Sequence, residues 1–352
     1  MRVVVVGATG NVGTALLRAL AEHPALVVAG LARRIPNRPL QAAPHVEWHS
    51  VDIAASDLLP LFRGADAVVH LAWEIQPSRN VAQLRRTNVI GSENVFRAVT
   101  EAGVPSLIHA SSVGVYSPGP KYERVDEDWP TDGIPTSFYS AHKAAVERML
   151  DRLERDVPSL RVVRLRPGLI FSRAAASEIR RLFLGPLFPN ALARPGLIRI
   201  VPEISRLVFQ AVHSDDVADA YRRAILSDTR GAFNVAAEPV VDSAQLAKIF
   251  HARRVTLSAS IARAALSVSW GLRLQPTPPS WLDLARGVPL MDVRRIRAEL
   301  GWSPSKTSSD ALLELLAGLR ARSGGPTPPL HPDTAGALRH GEITSGVGRM
   351  NP

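Results

Sequence analysis

The sequence begins with a run of four valines that stops at a glycine. Residues 2–6 read RVVVV, residues 7–13 read GATGNVG, and a helical pattern begins at Thr14. A continuous β-branched run is typical of a strand buried on both faces of a parallel sheet. Glycines directly after such a strand let the backbone turn sharply into a helix and approach a bound group closely. This opening therefore predicts a parallel α/β protein with a ligand site at the end of its first strand.

The alternation of short apolar runs with helix-length segments continues well beyond this opening. Segments such as 91–101 and 140–155 separate further apolar runs at residues 26–31, 67–71, 107–110 and 160–165. Strand, helix and strand in repetition indicate a doubly wound parallel sheet. We therefore expect an α/β Rossmann fold with a smaller, less regular C-terminal substrate lobe.

Composition shifts suggest three regions. We expect residues 1–170 to form the Rossmann domain, with segments near 205–240 returning to it, and residues 171–322 to form the substrate lobe. Residues 323–352 hold six glycines and five prolines, a composition typical of low-complexity chain. We expect this tail to be disordered.

Composition also excludes several classes of protein. The chain has no cysteine, which excludes disulfide frameworks, iron–sulfur clusters and thiol nucleophiles. Its net charge of +10 comes from arginines scattered among acidic residues, which favours a solvated surface over nucleic-acid binding. The mostly apolar segment 261–272 is too short to span a bilayer, and no secretory signal is recognisable. We expect a cytoplasmic protein that binds a small-molecule substrate, with no nucleic acid or membrane partner.

A metal site is a minor alternative. His45, Glu47 and His49 alternate onto one face of a predicted strand, but such a row is usually a solvated edge. We therefore predict no metal site.

The glycine loop predicts binding of a dinucleotide. Small residues admit a pyrophosphate close to the backbone, and the N–H groups that open the following helix face its negative charge. The residues expected to contribute are Gly7, Thr9, Gly10, Asn11, Val12 and Gly13.

The end of the second strand predicts which dinucleotide binds. An acidic residue at this point favours NAD, but here the chain carries Arg33 and Arg34. Guanidinium groups match a 2′-phosphate, so NADP is favoured and NAD is the second choice. The alternative is that both arginines are solvated loop residues. Asp52 and Ile53 are candidates for the adenine edge, and Asp52 is equally consistent with a helix-entry cap.

Tyr139 and Lys143 form the second chemical pattern. Positions i and i+4 share a helix face, so the ammonium can lie beneath the phenol and lower its pKa from about 10 towards neutrality. With four tyrosines and four lysines in the chain, the chance expectation of this spacing is only about 0.05 per chain. The spacing therefore predicts a tyrosine acid or base, and the alternative is an exposed aromatic–cation pair.

Two serines form a third candidate site. Ser111 and Ser112 follow the predicted strand 107–110, at the sheet edge where ligands of open parallel sheets lie. A hydroxyl here can bind a substrate carbonyl, although a turn or N-cap role is the ordinary alternative. Neither serine lies in a Gly-x-Ser-x-Gly elbow, which argues against a serine hydrolase.

Taken in order, the motifs resemble those of a known family. The chain carries GATGNVG at 7–13, HLA at 70–72, TNVIG at 87–91, SSxxVY at 111–116, YxxxK at 139–143, RPG at 166–168, HSDDVA at 213–218 and LGWxP at 300–304. It resembles the extended short-chain dehydrogenases/reductases, the NAD(P)-dependent epimerase/dehydratase family, over residues 1–317.

The resemblance implies roles for individual residues. Ser112 would polarise the substrate, Tyr139 would act as acid/base, and Lys143 would assist the tyrosine and hold a ribose. Leu71, Ala72 and Pro167 would border the nicotinamide. It further implies a homodimer and an NAD(P)-dependent oxidoreductase or epimerase that moves a hydride between the nicotinamide and a hydroxyl- or carbonyl-bearing carbon.

One departure bears on the substrate. Nucleotide-sugar members of the family carry a Gly-Asp/Asn-Gly turn and an arginine ahead of the HxxD motif, where this chain reads IVPE at 200–203 and LVFQ at 207–210. A less polar carbonyl or alcohol is therefore expected, although a nucleotide-sugar epimerase or dehydratase stays an alternative. A non-catalytic NADP-binding sensor or assembly factor on the same fold is the other alternative, against which the intact Tyr/Lys pair argues.

Overall fold

The computed structural model describes residues 1–334. Its strands are β1 (Arg2–Val6), β2 (Val27–Ala32), β3 (Glu47–Ser50), β4 (Ala67–His70), β5 (Ser106–Ala110), β6 (Arg124–Val125), β7 (Arg161–Pro167), β8 (Leu169–Phe171), β9 (Ile200–Glu203), β10 (Ala211–His213), β11 (Gly231–Val235), β12 (Arg253–Thr256) and β13 (Leu290–Met291). Its α-helices are α1 (Asn11–Ala21), α2 (Leu59–Phe62), α3 (Val81–Arg85), α4 (Gly91–Glu101), α5 (Phe138–Asp156), α6 (Ala176–Ile179), α7 (Ser214–Ile225), α8 (Ser243–Phe250), α9 (Ala259–Gly271), α10 (Ser280–Gly287), α11 (Arg294–Leu300) and α12 (Ser308–Ala321). Short π-helical turns at Arg86–Ile90 and Arg180–Leu184 extend α3 and α6.

Seven strands form one parallel sheet in the order β11-β7-β5-β4-β1-β2-β3. The order reverses between β1 and β4, since the chain runs outward from β1 to β3 on one side and from β4 to β11 on the other. A crevice opens beyond the carboxyl ends of the strands at such a reversal. The doubly wound sheet is the fold that the strand–helix alternation predicts.

The valine run of β1 explains why the sheet carries helices on both faces. Val3 and Val5 belong to the core layer that includes α1 and α7, and Val4 and Val6 belong to the opposite layer with α4 and α5. All four valines are at most 1% exposed. Because successive strand residues point to opposite faces, a strand with two buried faces must be apolar throughout.

The irregular lobe is built from small strand pairs and helices. β8 pairs with β10, β9 with β12, and β6 with β13. The core of its main part is formed by the apolar face of α12 with Phe250, Val201 and Ala176. In the region near 205–240 that we expected to return to the Rossmann domain, β11 joins the large sheet beside β7, whereas β10 pairs with β8 outside it.

Residues 323–334 are packed against the rest of the protein. Thr327 is fully buried and Leu330 is 1% exposed. A tight turn holds them, because the amide of Gly325 donates to the carbonyl of Leu330 and the amide of Leu330 donates to the carbonyl of Thr327. This part of the chain thus differs from the disordered tail that the glycine and proline content suggests, since those residues build the turn. Residues 335–352 of the expected tail lie outside the described residues.

Within residues 1–334, no helix is both long and apolar enough to cross a membrane. The same range holds no group of three or more His, Cys, Asp or Glu side chains arranged to bind a metal ion.

Candidate functional site

The glycine loop makes a tight turn between β1 and α1. Gly7 has a φ of 88° and its amide donates to the carbonyl of Leu31 at 2.7 Å. A Cβ atom at Gly7 would lie 2.5 Å from the amide nitrogen of Ala72, and one at Gly13 would collide with the carbonyl of Gly7. Both positions therefore require glycine, the first for its dihedral angle and the second for close packing of helix on strand.

The first turn of α1 faces the crevice with no side-chain cap. Gly10 is the N-cap residue and supplies no side-chain hydrogen bond. The first N–H groups of the helix are therefore available to an anion, and the helix dipole favours negative charge there. This arrangement fits a dinucleotide diphosphate.

A cleft of about 850 Å³, counted to its open mouth, extends from the glycine loop along the ends of β1, β2 and β4. Nine residues expected to bind the cofactor line it, namely Gly7, Thr9, Gly10, Arg33, Arg34, Asp52, Ile53, Leu71 and Ala72. Asn11, Val12 and Gly13 form the adjoining first turn of α1. Pro167 ends β7, where it is buried in register with Val235 of β11. The structure thus brings most of the expected cofactor residues into one cleft.

The two arginines at the end of β2 have different surroundings. The guanidinium of Arg33 lies 2.6 Å from the carboxylate of Glu74, a side chain only 3% exposed. Thr87 also donates to that carboxylate at 3.1 Å. Arg33 therefore enters the cleft already paired with an acidic group that the sequence analysis did not identify.

Arg34 faces a second carboxylate across the cleft. Burial lowers the pKa of Arg34, as does the nearby charge of Arg33, whereas Glu178 opposes the change. Burial raises the pKa of Glu178 to about 7, although Arg181 and Arg34 act in the other direction. The end of the cleft near β2 is consequently lined by the guanidinium groups of Arg33 and Arg34 and by the carboxyl groups of Glu74 and Glu178.

Asp52 serves a structural purpose within the cleft wall. Its carboxylate accepts a hydrogen bond from the amide of Ala54 at 2.9 Å and lies 3.3 Å from the guanidinium of Arg86. These contacts close a turn rather than cap a helix, because α2 begins only at Leu59 with Leu58 as its N-cap residue. Ile53, its neighbour, packs in the core layer beneath and also lines the cleft.

Tyr139 lies in the first turn of α5, and its ring lies against Gly114. A Cβ atom at Gly114 would stand 2.7 Å from the ring. The Ser112 hydroxyl lies beside this ring, since it would be 3.4 Å from the same Cβ atom. Burial raises the pKa of Tyr139 to about 12, and the Ser112 hydroxyl offsets only part of that effect. The expected lowering of this pKa towards neutrality is absent from this arrangement.

The position of Lys143 explains why the pKa of Tyr139 is not lowered. Its ammonium donates to the carbonyl of Ala110 at 2.7 Å and lies 3.4 Å from the centroid of the Trp73 ring. Burial lowers the pKa of Lys143 to about 7, and Glu147 opposes that change. The charge is therefore held by the end of β5 and by an aromatic face rather than directed at the phenol.

The two serines after β5 point in different directions. Ser111 donates to the buried carboxylate of Glu147 at 2.5 Å. Ser112 caps the short turn Val113–Val115, where its hydroxyl accepts from the amide of Gly114 at 3.0 Å, and the same hydroxyl meets Tyr139. Ser112 therefore combines the turn-cap alternative with a place beside the tyrosine, and Ser111 belongs to the core.

Aromatic side chains surround the tyrosine. Its ring centroid is 5.2 Å from that of Trp281 and 6.1 Å from that of Trp73. Phe183 meets Trp281 edge-on at 5.0 Å. These three residues, which we call the aromatic wall, come from the loop after β4, from α10 and from the π-helical turn after α6.

Several residues that line the cleft were not predicted from the sequence. Glu74 and Trp73 directly follow the HLA motif, so their position next to a strand end is a signal that was available. Glu178, Leu182 and Pro329 also line the cleft. They come from the C-terminal half of the chain, and no local pattern links them to the glycine loop.

Comparisons with known proteins agree with this geometry. A model of the NAD dependent epimerase/dehydratase family matches residues 3–236. An uncharacterized protein of Mycobacterium tuberculosis is 26% identical over 326 residues, which cover 92% of this chain and 31% of that protein. Human sterol-4-alpha-carboxylate 3-dehydrogenase, decarboxylating, is 29% identical over 172 residues, which cover 48% of this chain and 44% of that protein. The chain spans about a third of the length of the first curated relatives it matches.

Solved structures share the architecture. UDP-glucuronic acid 4-epimerase from Bacillus cereus, in complex with NAD, gives a TM-score of 0.66 at 19% identity, with 91% of this chain and 99% of that chain covered. This likeness confirms the Rossmann fold that the sequence predicts.

Proposed function

Since this chain belongs to the NAD-dependent epimerase/dehydratase family, we propose that it is an NAD(P)-dependent oxidoreductase or epimerase. It moves a hydride between the nicotinamide and a substrate carbon that bears a hydroxyl or carbonyl group. The observation that carries the proposal is that the Ser112 hydroxyl lies beside the phenol of Tyr139. Lys143 lies one turn further along the same helix as Tyr139, and the cleft at the glycine loop is nearby.

Each of the three side chains has a separate task. Ser112 donates a hydrogen bond to the substrate oxygen and holds it beside the phenol. Tyr139 gives its proton to that oxygen during reduction and takes it back during oxidation. The bound nicotinamide supplies or accepts the hydride.

Lys143 makes the proton transfer accessible near neutral pH. A phenol with a pKa near 12 is a poor base, so the ammonium must leave Trp73 and approach the phenol and ribose for phenolate to form. The same movement places a positive charge beside the ribose hydroxyls. We assign Tyr139 the acid/base role and Lys143 the roles of electrostatic partner and ribose ligand.

We propose NADP as the preferred cofactor, with NAD as the second choice. The support is the pair of guanidinium groups at the end of β2, of which Arg34 is the better placed because Arg33 is tied to Glu74. The diphosphate would lie at Gly10 and the start of α1, and Leu71, Ala72 and Pro167 would border the nicotinamide.

We propose an apolar substrate with a flat ring system. The aromatic wall of Trp73, Phe183 and Trp281 gives Tyr139 apolar, aromatic surroundings, which favour an apolar ring system over a charged sugar nucleotide. The similarity to a human sterol dehydrogenase supports the same substrate class. A nucleotide-sugar epimerase, the activity named for the Bacillus cereus structure, is the second candidate among enzymes. As part of the proposal the protein works as a homodimer in the cytoplasm.

A panel experiment tests the proposal. The protein is incubated with NADPH, NADH or their oxidised forms and with cyclic ketones, sterol alcohols and UDP-sugars, and the nicotinamide absorbance is followed together with product analysis. We expect net NADPH oxidation with an apolar ketone. Interconversion of UDP-sugars without net change in absorbance would favour the epimerase. Dinucleotide binding with no turnover on the whole panel would favour the sensor alternative.

A further inference from the structure

The segment that follows α12 lies across the glycine loop. It is anchored at its start because the carbonyl of Ser323 accepts hydrogen bonds from the amide and the hydroxyl of Ser177, at 3.1 and 2.7 Å. Further along, the guanidinium of Arg181 donates to the carbonyl of Pro329 at 2.6 Å. We call residues 325–330 the C-terminal turn, which is closed by the hydrogen bond from the amide of Gly325 to the carbonyl of Leu330.

The C-terminal turn contacts the loop through Thr327. The hydroxyl of Thr327 donates to the carbonyl of Thr9 at 2.7 Å, and the side chain is fully buried. That carbonyl belongs to the peptide unit between Thr9 and Gly10, in the middle of the glycine loop. The amide of the same unit donates to the carbonyl of Gly7 at 3.2 Å. Both ends of this peptide unit are thus fixed, one by the loop itself and one by the C-terminal turn.

The orientation of this peptide unit matters to an anionic ligand. A backbone carbonyl turned towards the crevice would present partial negative charge to a diphosphate, whereas the start of α1 presents partial positive charge. Thr327 holds the carbonyl of Thr9 on the side of the C-terminal turn. Preorganised in this way, the loop needs no rearrangement when it binds phosphate oxygens.

The C-terminal turn also forms part of the cleft wall. Pro329 lines the cleft together with Leu182 and Glu178, opposite the residues at the end of β2. A ligand lying along the cleft is therefore bordered by the Rossmann domain on one side and by this turn on the other.

We propose that Thr327 is a positioning residue for the glycine loop and that the C-terminal turn is a wall of the dinucleotide site. The inference rests on the proposed function in one respect, namely that the cleft takes a nicotinamide dinucleotide. It adds that this site is incomplete without residues more than 300 positions away from the glycine loop in the sequence.

The test uses the full chain with a pair of matched substitutions. Thr327→Val keeps the shape and loses the hydroxyl, whereas Thr327→Ser keeps the hydroxyl. Thr100→Val is the control, because Thr100 donates to the carbonyl of Phe96 at 3.1 Å within α4, away from both the loop and the C-terminal turn. Dissociation constants for NADPH and NADH are measured by energy transfer from tryptophan to the nicotinamide, and thermal unfolding is followed with and without dinucleotide.

We expect Thr327→Val to weaken binding of both dinucleotides about tenfold and by the same factor, since the diphosphate is common to them. Thr327→Ser and Thr100→Val should bind both dinucleotides within about twofold of the unaltered protein. Pro329→Ala, which leaves the hydrogen bonds of the turn intact, should speed dinucleotide dissociation about threefold. This variant tests the role of the turn independently if Thr327→Val does not fold.

Two results would overturn the inference and are distinguishable. Unchanged binding in Thr327→Val and Pro329→Ala, while the unaltered protein binds dinucleotide, would refute the role of the turn and leave the proposed function standing. Failure of the unaltered protein to bind either dinucleotide would refute both.

Discussion

The ammonium of Lys143 lies 3.4 Å from the centroid of the Trp73 ring, although Tyr139 is one turn away on the same helix. A cation over a tryptophan face is stabilised by the ring quadrupole, and more strongly when it is shielded from water. Trp73 also lines the cleft at the glycine loop. Trp73, which shields the Lys143 ammonium, thus lies beside the space where we expect the ribose. Binding of a dinucleotide would therefore replace the Trp73 ring with ribose hydroxyls as partners of this ammonium.

The first prediction concerns Lys143. Lys143→Met should weaken dinucleotide binding about tenfold and lower turnover by about a hundredfold, because one ammonium serves the ribose and the phenol. Lys248→Met, at an exposed position of α8, is the matched control and should change neither quantity. Titration with NADPH and steady-state kinetics on the substrate found in the panel measure both. Normal binding and turnover in Lys143→Met would remove the lysine from the site.

A second prediction concerns the proton. Tyr139→Phe should keep the fold and bind dinucleotide, yet its turnover should fall by about a hundredfold or more. In the oxidation direction phenolate is the base, so the rate should rise with pH as Tyr139 loses its proton. Burial raises this pKa to about 12 without ligand, so the rising limb should lie above neutral pH and approach neutrality only as far as Lys143 moves to the phenol.

A pH–rate profile of three proteins decides this second point. Tyr139→Phe should lack the rising limb, and Tyr122→Phe, at a tyrosine that is 93% exposed, should retain it. Near-normal turnover in Tyr139→Phe would contradict the acid/base assignment and favour the sensor alternative.

The parts of the fold that the sequence predicts are those with local causes. The valines of β1 and the glycines after it fix a buried strand and a tight turn within a few residues. The spacing of Tyr139 and Lys143 places them on one helix, which the structure confirms. Periodicity and turn chemistry operate over short stretches, so these features are readable from the sequence.

The contacts that set side-chain environments lie far apart in the sequence. Trp281 packs on Tyr139 from α10, and Thr327 reaches Thr9 across 318 positions. The glycine and proline content after Ser323 indicates a flexible chain, but the same residues build the C-terminal turn once a partner surface is available. The composition of a segment indicates how it behaves in isolation, whereas its burial depends on the surfaces of the folded protein that it packs against.

The third prediction concerns cofactor choice. The unaltered protein should bind NADPH at least about tenfold more tightly than NADH, because a guanidinium pairs with a 2′-phosphate. Arg33→Asp should reduce this preference for NADPH over NADH. Arg34→Asp should reduce it further, because Arg33 is already paired with Glu74 at 2.6 Å. Energy-transfer titrations with both dinucleotides measure the ratio. Arg38→Asp, at an exposed arginine of the following loop, controls for general charge. Equal affinities in the unaltered protein would mean that the arginines do not contact the ligand.

The fourth prediction concerns the buried charge beneath the site. Glu147 is 1% exposed and lies 2.9 Å from the guanidinium of Arg164 and 2.8 Å from that of Arg166. Burial alone would raise the pKa of this carboxyl, but the guanidinium groups of Arg166 and Arg164 lower it to about 2. Because the folded pKa lies below its ordinary value of 4.5, ionised Glu147 stabilises the fold above that value. This stabilisation is lost as the pH falls from about 4.5 through 2.

Glu147→Gln should therefore lower the free energy of unfolding by about 3–5 kcal/mol at pH 7, because the buried guanidinium of Arg166 loses its carboxylate partner, whereas that of Arg164 keeps Asp151 and Glu154. It should also flatten the decline in stability between about pH 5 and 2. Urea unfolding at several pH values measures both effects, with Glu93→Gln on the exposed side of α4 as the control. If Glu147→Gln were as stable at pH 7 as this control, the Glu147 carboxylate would not hold the two arginines beneath Ser111. The end of β5 would then be held in place by the strands alone.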